Sequence, residues 1–323
     1  MTLDITLACY EYEWTKPLWT RAVKPQGIDL TSVDYPNPER FTRMVIHDEF
    51  DACELSMGTY LATRSASEDY PFTALPIFPF RKFRHSYMFK REGAGIEDPT
   101  NLEGRRVGIV NWQTTTGIWQ RGILREHHGV DTEEIHWHAG GSEIIDVEPA
   151  NEYTLSYVEE SGRPLHIFED MMKRGDLDAT FYPVSLDPSI ATRLFPHPIA
   201  VETAYYRETG IFPVMHTIVV RDELLEANPW IAQKLYDAFE EAKRRALKRL
   251  DRPRWSPIVW SDIHVERQRG LLGEDPWEYG LTDGNVTAIE KLLEYADQQG
   301  ITAERLRGED LFATEHLNTG WYG

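Results

Sequence analysis

Apolar positions follow two rhythms along this chain, and the rhythms alternate. Residues 5–10, 29–35 and 51–57 are short apolar runs bounded by polar turns, the pattern of strands. Between them, residues 15–24 and 38–47 carry helical spacing, with Phe41, Met44 and Val45 at i, i+3 and i+4. A short helix holding Tyr60 and Leu61 follows, and residues 72–79 and 85–90 read as extended. The rhythm restarts near Ile96: a turn over 98–102, a strand over 106–111 and a helix over 116–128. Ile118, Trp119, Gly122 and Ile123 share one face of that helix, and Gly129 is placed to end it in the left-handed conformation. A further helix closes at Gly175, and a strand over 177–182 stops at Pro183. The longest helix is predicted to start at an Asn228 cap with Pro229 in its first turn, burying Ile231, Leu235, Phe239, Ala242 and Leu250. Another runs over 285–299, and the Trp- and Pro-rich stretch 251–279 is expected to wrap the surface irregularly.

Strands alternating with helices predict parallel α/β structure. One echo sharpens this. Residues 41–57 read helix, acidic turn, Asp51-Ala52, strand, polar loop; residues 168–185 repeat that order with Asp178-Ala179 in the matching place. Each follows a strand–loop–helix opening. Two similar lobes, presenting strand-end loops to a shared crevice, are the expected result, and such crevices bind ligands.

Length and charge bound the rest. A chain of 323 residues suits two domains. Its net charge of −19 argues against nucleic acid and anionic membranes as partners. No stretch approaches a membrane span, and the opening MTLDITLACY is not a signal peptide, so a cytoplasmic protein is expected. Cys9 and Cys53 sit in apolar strands and read as buried thiols.

Candidate chemistry gathers at the loops. Asn111–Gly117 (NWQTTTG) joins a strand to a helix start, so Thr114, Thr115 and Thr116 form either an ordinary cap or an anion site at the positive end of the helix dipole. Phe80–Ser86 (FRKFRHS) brings Arg81, Arg84 and His85 to a lobe crossing, where guanidinium forks suit carboxylates. Gly210–His216 (GIFPVMH), with Phe212 and His216, reads as the return crossing. Glu11 and Tyr12 follow the first strand, and Ser56 and Tyr182 lie at the two echoed strand ends; an aromatic-lined pocket with few polar anchors would recognise a ring. His136 and His138 lack the third and fourth ligands of a metal site, and no P-loop, GxSxG or GxGxxG is present.

Together the stretches DACELSMGTYLA, FPFRKFRHS, NLEGRRVGIVNWQTTTGIWQRGILREHHGV, GDLDATFYP, GIFPVMHTIVVR, NPWIAQKLYDAFEEAK and QQGITAERLRGEDLF resemble the 4,5-dihydroxyphthalate decarboxylase family. The resemblance implies a two-lobed α/β fold of the type II periplasmic-binding-protein kind, with a ligand cleft between lobes joined by two crossing segments. Residues 1–90 and 206–323 would form one lobe and 91–205 the other. It implies cofactor-independent decarboxylation of a hydroxylated aromatic acid, with a small aromatic carboxylate as the ligand and a possible homo-oligomer. A transporter's substrate-binding protein is the alternative. In the enzymatic reading, Arg81, Arg84 and the Thr114–Thr116 loop hold carboxylates, His85 or His216 is the general acid, and Glu11 or Glu54 accepts from the phenol.

Overall fold

The computed structural model describes residues 2–150, 152–159, 162–252 and 256–317. The chain opens with β1 (Leu3–Ala8), α1 (Lys16–Trp19), β2 (Ile28–Val33), α2 (Glu39–His47), β3 (Ala52–Ser56), α3 (Met57–Ser65) and β4 (Phe72–Leu75). It continues through β5 (Met88–Arg91), β6 (Arg106–Ile109), α4 (Thr115–His128), β7 (His136–Ala139), β8 (Thr154–Tyr157), α5 (Pro164–Arg174), β9 (Ala179–Phe181), β10 (Ala191–Arg193) and α6 (Pro198–Thr209). It ends with β11 (His216–Arg221), α7 (Asp222–Ala227), α8 (Trp230–Leu247), α9 (Ser261–Leu272) and α10 (Asp283–Gln298).

Two sheets result. One has the order β2-β1-β3-β11-β4, the other β10-β5-β9-β6-β7-β8. The echo seen in the sequence is a repeated topology. In the first sheet β3 lies between parallel β1 and antiparallel β11; in the second β9 lies between parallel β6 and antiparallel β5. The paired Asp-Ala motifs have a shared physical cause. Asp51 accepts a hydrogen bond from the Thr6 N–H of β1 at 2.7 Å, and Asp178 accepts from the Arg106 N–H of β6 at 3.2 Å. Each aspartate thus satisfies a backbone donor where its parallel pair begins, while the alanine after it is buried.

The sheets are joined by more than their crossings. Helix α4, following a strand of the second sheet, packs on α3 and α10 beside the first. Trp119 donates its indole N–H to the Val214 carbonyl at 2.9 Å and meets the Tyr295 ring edge-on. Arg121, fully buried, donates to the Gln299 side chain at 2.6 Å and the Trp112 carbonyl at 2.8 Å, with its guanidinium 3.7 Å from the Trp112 ring centre.

Several expectations are corrected. The first helix is a single turn, because Arg21 takes a left-handed conformation soon after it. Asn228 does not open the longest helix. It closes α7, a helix with Asp222 and Glu223 in its first turn, and Pro229 becomes the cap of α8. Leu250 falls beyond α8 and is exposed. His85 starts a 3-10 turn ahead of β5. The stretch after Asp251 contains α9, and its residues 253–255 lie outside the described residues. Both cysteines are buried and free. Among the described residues, no helix is long and apolar enough to cross a membrane, and no three His, Cys, Asp or Glu side chains are grouped to hold a metal ion.

The α4–α10 contact supplies a test. A Cβ on Gly122 would collide with the Tyr295 ring. Gly→Ala inside a helix ordinarily gains up to about 1 kcal/mol, but overpacking costs roughly 1–3 kcal/mol. Gly122→Ala is therefore expected to destabilise the protein, read as a lower urea midpoint at unchanged slope.

Candidate active site

Glu54 stands in the middle of β3 with no solvent exposure. An ionised carboxylate there requires compensation, and the surrounding elements supply it. Arg40, on the buried face of α2, ion-pairs with Glu54 Oε2 at 3.0 Å and is itself anchored on the Glu54 and Tyr35 carbonyls. The Tyr10 N–H donates to Oε2 at 2.9 Å, and the Tyr12 hydroxyl to Oε1 at 2.7 Å. His216, the first residue of β11, places Nδ1 2.5 Å from Oε1. Burial alone would raise the Glu54 pKa; Arg40, His216 and the Tyr10 N–H outweigh it and hold the group far below the usual carboxylate range. Tyr12 is pushed up, by burial first and by Glu54 second.

An ionised carboxylate only accepts, so His216 donates from Nδ1. That fixes the tautomer and leaves Nε2 as the chemically available nitrogen. Among the described residues His216 makes one side-chain hydrogen bond, through Nδ1. Burial lowers the His216 pKa, the bond to Glu54 opposes this, and Arg40 and Arg84 push it down further. The imidazole is packed between Phe41, edge-on at 5.4 Å, and Phe80 at 5.0 Å. Tyr12 stacks on Phe80 and on Trp14, and Trp14 stacks on Trp277.

Arg84 lies across the Phe80 and Tyr87 rings, buried, with no carboxylate partner among the described residues. Its one side-chain hydrogen bond among the described residues is from Nε to the Met215 sulfur at 3.2 Å, and burial lowers its pKa to about 10. A desolvated cation with no carboxylate in contact can receive one. Two helix starts meet nearby. Ser56, paired in register with His216, precedes α3; its hydroxyl lies 2.7 Å from that of Thr115, the first residue of α4. The Gly58 N–H donates to the same Thr115 oxygen at 2.8 Å. This approach needs glycine, because a Cβ at 58 would run into the Gln113 carbonyl. Neither helix is capped by its own side chain, so two positive dipole ends converge beside the imidazole.

The structure thus brings together Tyr12, Glu54, Ser56, Arg84, Thr115 and His216, and adds Arg40. Thr116 is buried in the first turn of α4; Thr114 is its cap residue, bonded to Asn111. Part of the NWQTTTG loop is already satisfied from within, since Glu143 takes the N–H groups of Trp112 and Gln113. Other candidates lie apart. Glu11 is exposed, with Lys16 as its ion partner. Arg81 donates to Asn285 and the Phe212 carbonyl and faces a separate cavity of about 170 Å³ lined by Glu274, Asp275 and Glu278. Phe212 packs there against Phe83 and Trp277. Tyr182 rests on Phe168 in a second core beneath the second sheet. His85 sits among His128, Phe195 and Tyr205 with both ring nitrogens unpartnered among the described residues, and burial lowers its pKa to about 3. The Arg40–Glu54 pair carried a readable signal: an arginine on the apolar face of one helix and a glutamate inside an apolar strand.

The chain is similar to the 4,5-dihydroxyphthalate decarboxylase of Comamonas testosteroni, 30% identical over 332 aligned positions that cover 98% of each protein. The enzyme of that name from Pseudomonas putida is 31% identical over 188 positions, 56% of this chain and 70% of the relative. No family model matches. Among solved structures, the desulfurization enzyme DszB aligns with TM-score 0.56 and 15% identity over 97% of each chain. The periplasmic aliphatic sulphonate binding protein SsuA from Escherichia coli aligns with TM-score 0.54 and 13% identity over 97% of this chain and 98% of its own. The two-sheet architecture is therefore the two-lobed, periplasmic-binding-protein-like fold.

Two stability outcomes follow from these environments. Glu54→Gln leaves buried Arg40 with only the longer contact to the exposed Asp34 carboxylate at 3.8 Å, and breaking a buried pair costs about 3–5 kcal/mol. The wild-type carboxylate contributes stability that is full above its ordinary 4.5 and is lost as pH falls toward the depressed folded value. Melting curves across acid pH should show Glu54→Gln low at neutral pH, with a shallower decline below pH 4.5. His85 is held neutral, so the unfolded chain takes up its proton first and stability falls as pH drops from 6.5 toward about 3. His85→Phe should flatten the decline in that window.

Proposed function

The chain belongs to the 4,5-dihydroxyphthalate decarboxylase family, and on that premise we propose that this carboxy-lyase converts 4,5-dihydroxyphthalate to 3,4-dihydroxybenzoate and CO2. The observation that carries the reading is the buried Arg40–Glu54–His216 chain. It ends on an imidazole whose one side-chain hydrogen bond among the described residues is made through Nδ1, beside Arg84, a buried cation with no carboxylate in contact among the described residues.

Cleaving a ring–carboxylate bond leaves an electron pair on carbon, and an aryl anion is avoided if that carbon is protonated first. Arg84 and the converging starts of α3 and α4 hold the substrate carboxylates, with Phe80 and Tyr12 along the ring. The arriving negative charge favours the protonated form of His216, and Glu54 stabilises that imidazolium. The hydroxyl para to the departing group feeds electrons into the ring. The carboxyl-bearing carbon takes the proton from Nε2. The carbon–carbon bond then breaks, its pair restores the aromatic ring, CO2 leaves, and solvent reprotonates the imidazole. Burial of the site strips water from the carboxylate without requiring a further group.

Incubation with 4,5-dihydroxyphthalate, with chromatography of the aromatic product and trapping of CO2, tests this. Stoichiometric 3,4-dihydroxybenzoate is expected; tight binding without turnover would mean a ligand-binding protein instead. His216→Gln should lower kcat by about 10²–10⁴-fold, the usual worth of a positioned general acid, while calorimetry still detects substrate binding. Unchanged turnover in that variant removes His216 from the mechanism.

A further inference from the structure

The cavity beside Arg81 is left unused by the chemistry proposed for the crevice. It sits where the two crossing segments meet: Arg81 forms a backbone bridge with Val214, and Arg81 and Phe212 both stand on the cavity wall. None of Tyr12, Glu54, Ser56, Arg84, Thr115 and His216 is on that wall. Its volume of about 170 Å³ is far above the roughly 10–15 Å³ that one water needs, so there is room for a small organic molecule.

The wall carries both signs of charge. Arg81 is only 4% exposed. Its Nη1 and Nη2 bond to the Asn285 side chain and the Phe212 carbonyl, two neutral acceptors on the same wall, which fixes the guanidinium at the cavity edge. Nε has no partner among the described residues. Glu278 and Asp275 act on Arg81 from beyond ion-pairing distance. Of the three carboxylates on the wall, Asp275 is answered by Lys243 at 2.7 Å and Glu274 by Arg269 at 3.2 Å. Glu278 accepts from the Thr282 hydroxyl at 3.1 Å and has no cation partner among the described residues. One cavity thus presents a buried cation without a carboxylate and a carboxylate without a cation, too far apart to satisfy each other.

We propose that this cavity binds a small zwitterion, an α-amino acid with an apolar side chain, at a site separate from the crevice. A simple anion would face three carboxylates, and a simple cation would face Arg81. Among the described residues, no three acidic or histidine side chains are grouped to hold a metal ion. A carboxylate and an ammonium on one carbon offer Arg81 and Glu278 their complements together. Phe212, Tyr206 and Leu272 supply apolar wall for the side chain. The proposal does not depend on what the crevice binds.

Isothermal titration calorimetry of the full chain tests this with three probes: L-leucine, isocaproate, which is leucine without its ammonium, and isoamylamine, which is leucine without its carboxylate. Leucine should bind saturably, one molecule per chain. Each analogue should bind at least about 10-fold more weakly, the loss expected of one charged hydrogen-bonding partner. Arg81→Gln should weaken leucine by a similar factor. Glu278→Gln lies at an exposed position and serves should Arg81→Gln misfold by circular dichroism; it should weaken leucine about 2–5-fold, the smaller worth of a solvated ion pair, and strengthen isocaproate. His216→Gln should bind leucine as the wild type does, and 4,5-dihydroxyphthalate should not displace it. Absence of leucine binding, equal affinity for leucine and either analogue, or wild-type affinity in Glu278→Gln overturns the proposal. Displacement by 4,5-dihydroxyphthalate also overturns it, by assigning the cavity to the crevice.

Discussion

A carboxylate with no access to water is the costliest group in this structure, and much of the first lobe is arranged around its charge. Placing Glu54 in the central strand of an apolar sheet requires a cation within contact distance, which sets the orientation of α2, because Arg40 must point inward with Phe41, Met44 and Val45. It requires further donors, which bends the Tyr10–Tyr12 loop back over the end of β1. And it holds His216 at the start of the returning strand β11. An ion pair so deep contributes little net stability compared with an apolar substitute. Its physical consequence is positional: one imidazole is fixed in tautomer and direction, with its far nitrogen turned away from the carboxylate.

The repeated topology shows how an asymmetric site arises on a symmetric frame. Asp51 and Asp178 perform one task in both halves, so the Asp-Ala echo belongs to the frame rather than to the chemistry. Counting on from the paired alanines, Glu54 corresponds to Phe181. The first lobe has a charge where the second has a ring packed against Trp137. The second lobe contributes instead the start of α4 with Thr115, and the crossing contributes Arg84 and Phe80. In the proposed function each source meets a separate need: the strand orients the proton carrier, and the helix starts and the guanidinium attract the anion.

That division explains what could be read from the chain and what could not. The helices that pack by one apolar stripe, such as α2 and α4, and the strands between them were legible, because a 3.6-residue or two-residue period is a local property. Boundaries failed where a tertiary choice decided them: Arg21 ends α1 by its backbone conformation, and Pro229 rather than Asn228 caps α8 because α7 comes directly before it. Candidate residues were legible by type and loop position. Their grouping was not, since His216 and Glu54 are 162 positions apart and meet only when β11 pairs with β3. Arg81, Arg84 and His85 look equivalent in sequence, yet a 3-10 turn and the surrounding rings send them to three environments: a hydrogen-bonded anchor, an unpaired cation and a neutral imidazole.

The contact between the lobes bears on how such a crevice works. Parting them would break the Ser56–Thr115 and Gly58–Thr115 bonds, pull Trp119 from the Val214 carbonyl and separate Arg121 from Gln299. Arg121 is the decisive case. Burial holds its pKa down at about 9, and its neutral partners, the Gln299 side chain and the Trp112 carbonyl, come from opposite sides of the interface. Removing one buried partner leaves a cation half-satisfied, a cost larger than that of an ordinary hydrogen bond. The lobes are therefore stitched together by these bonds, while Tyr12, Phe80 and the aromatic ladder to Trp277 are held by ring contacts. These bonds hold the helix starts and Nε2 in one relation. Electrostatic stabilisation of a charge that develops during reaction depends on that condition, because dipoles already in position need no reorganisation when the charge moves.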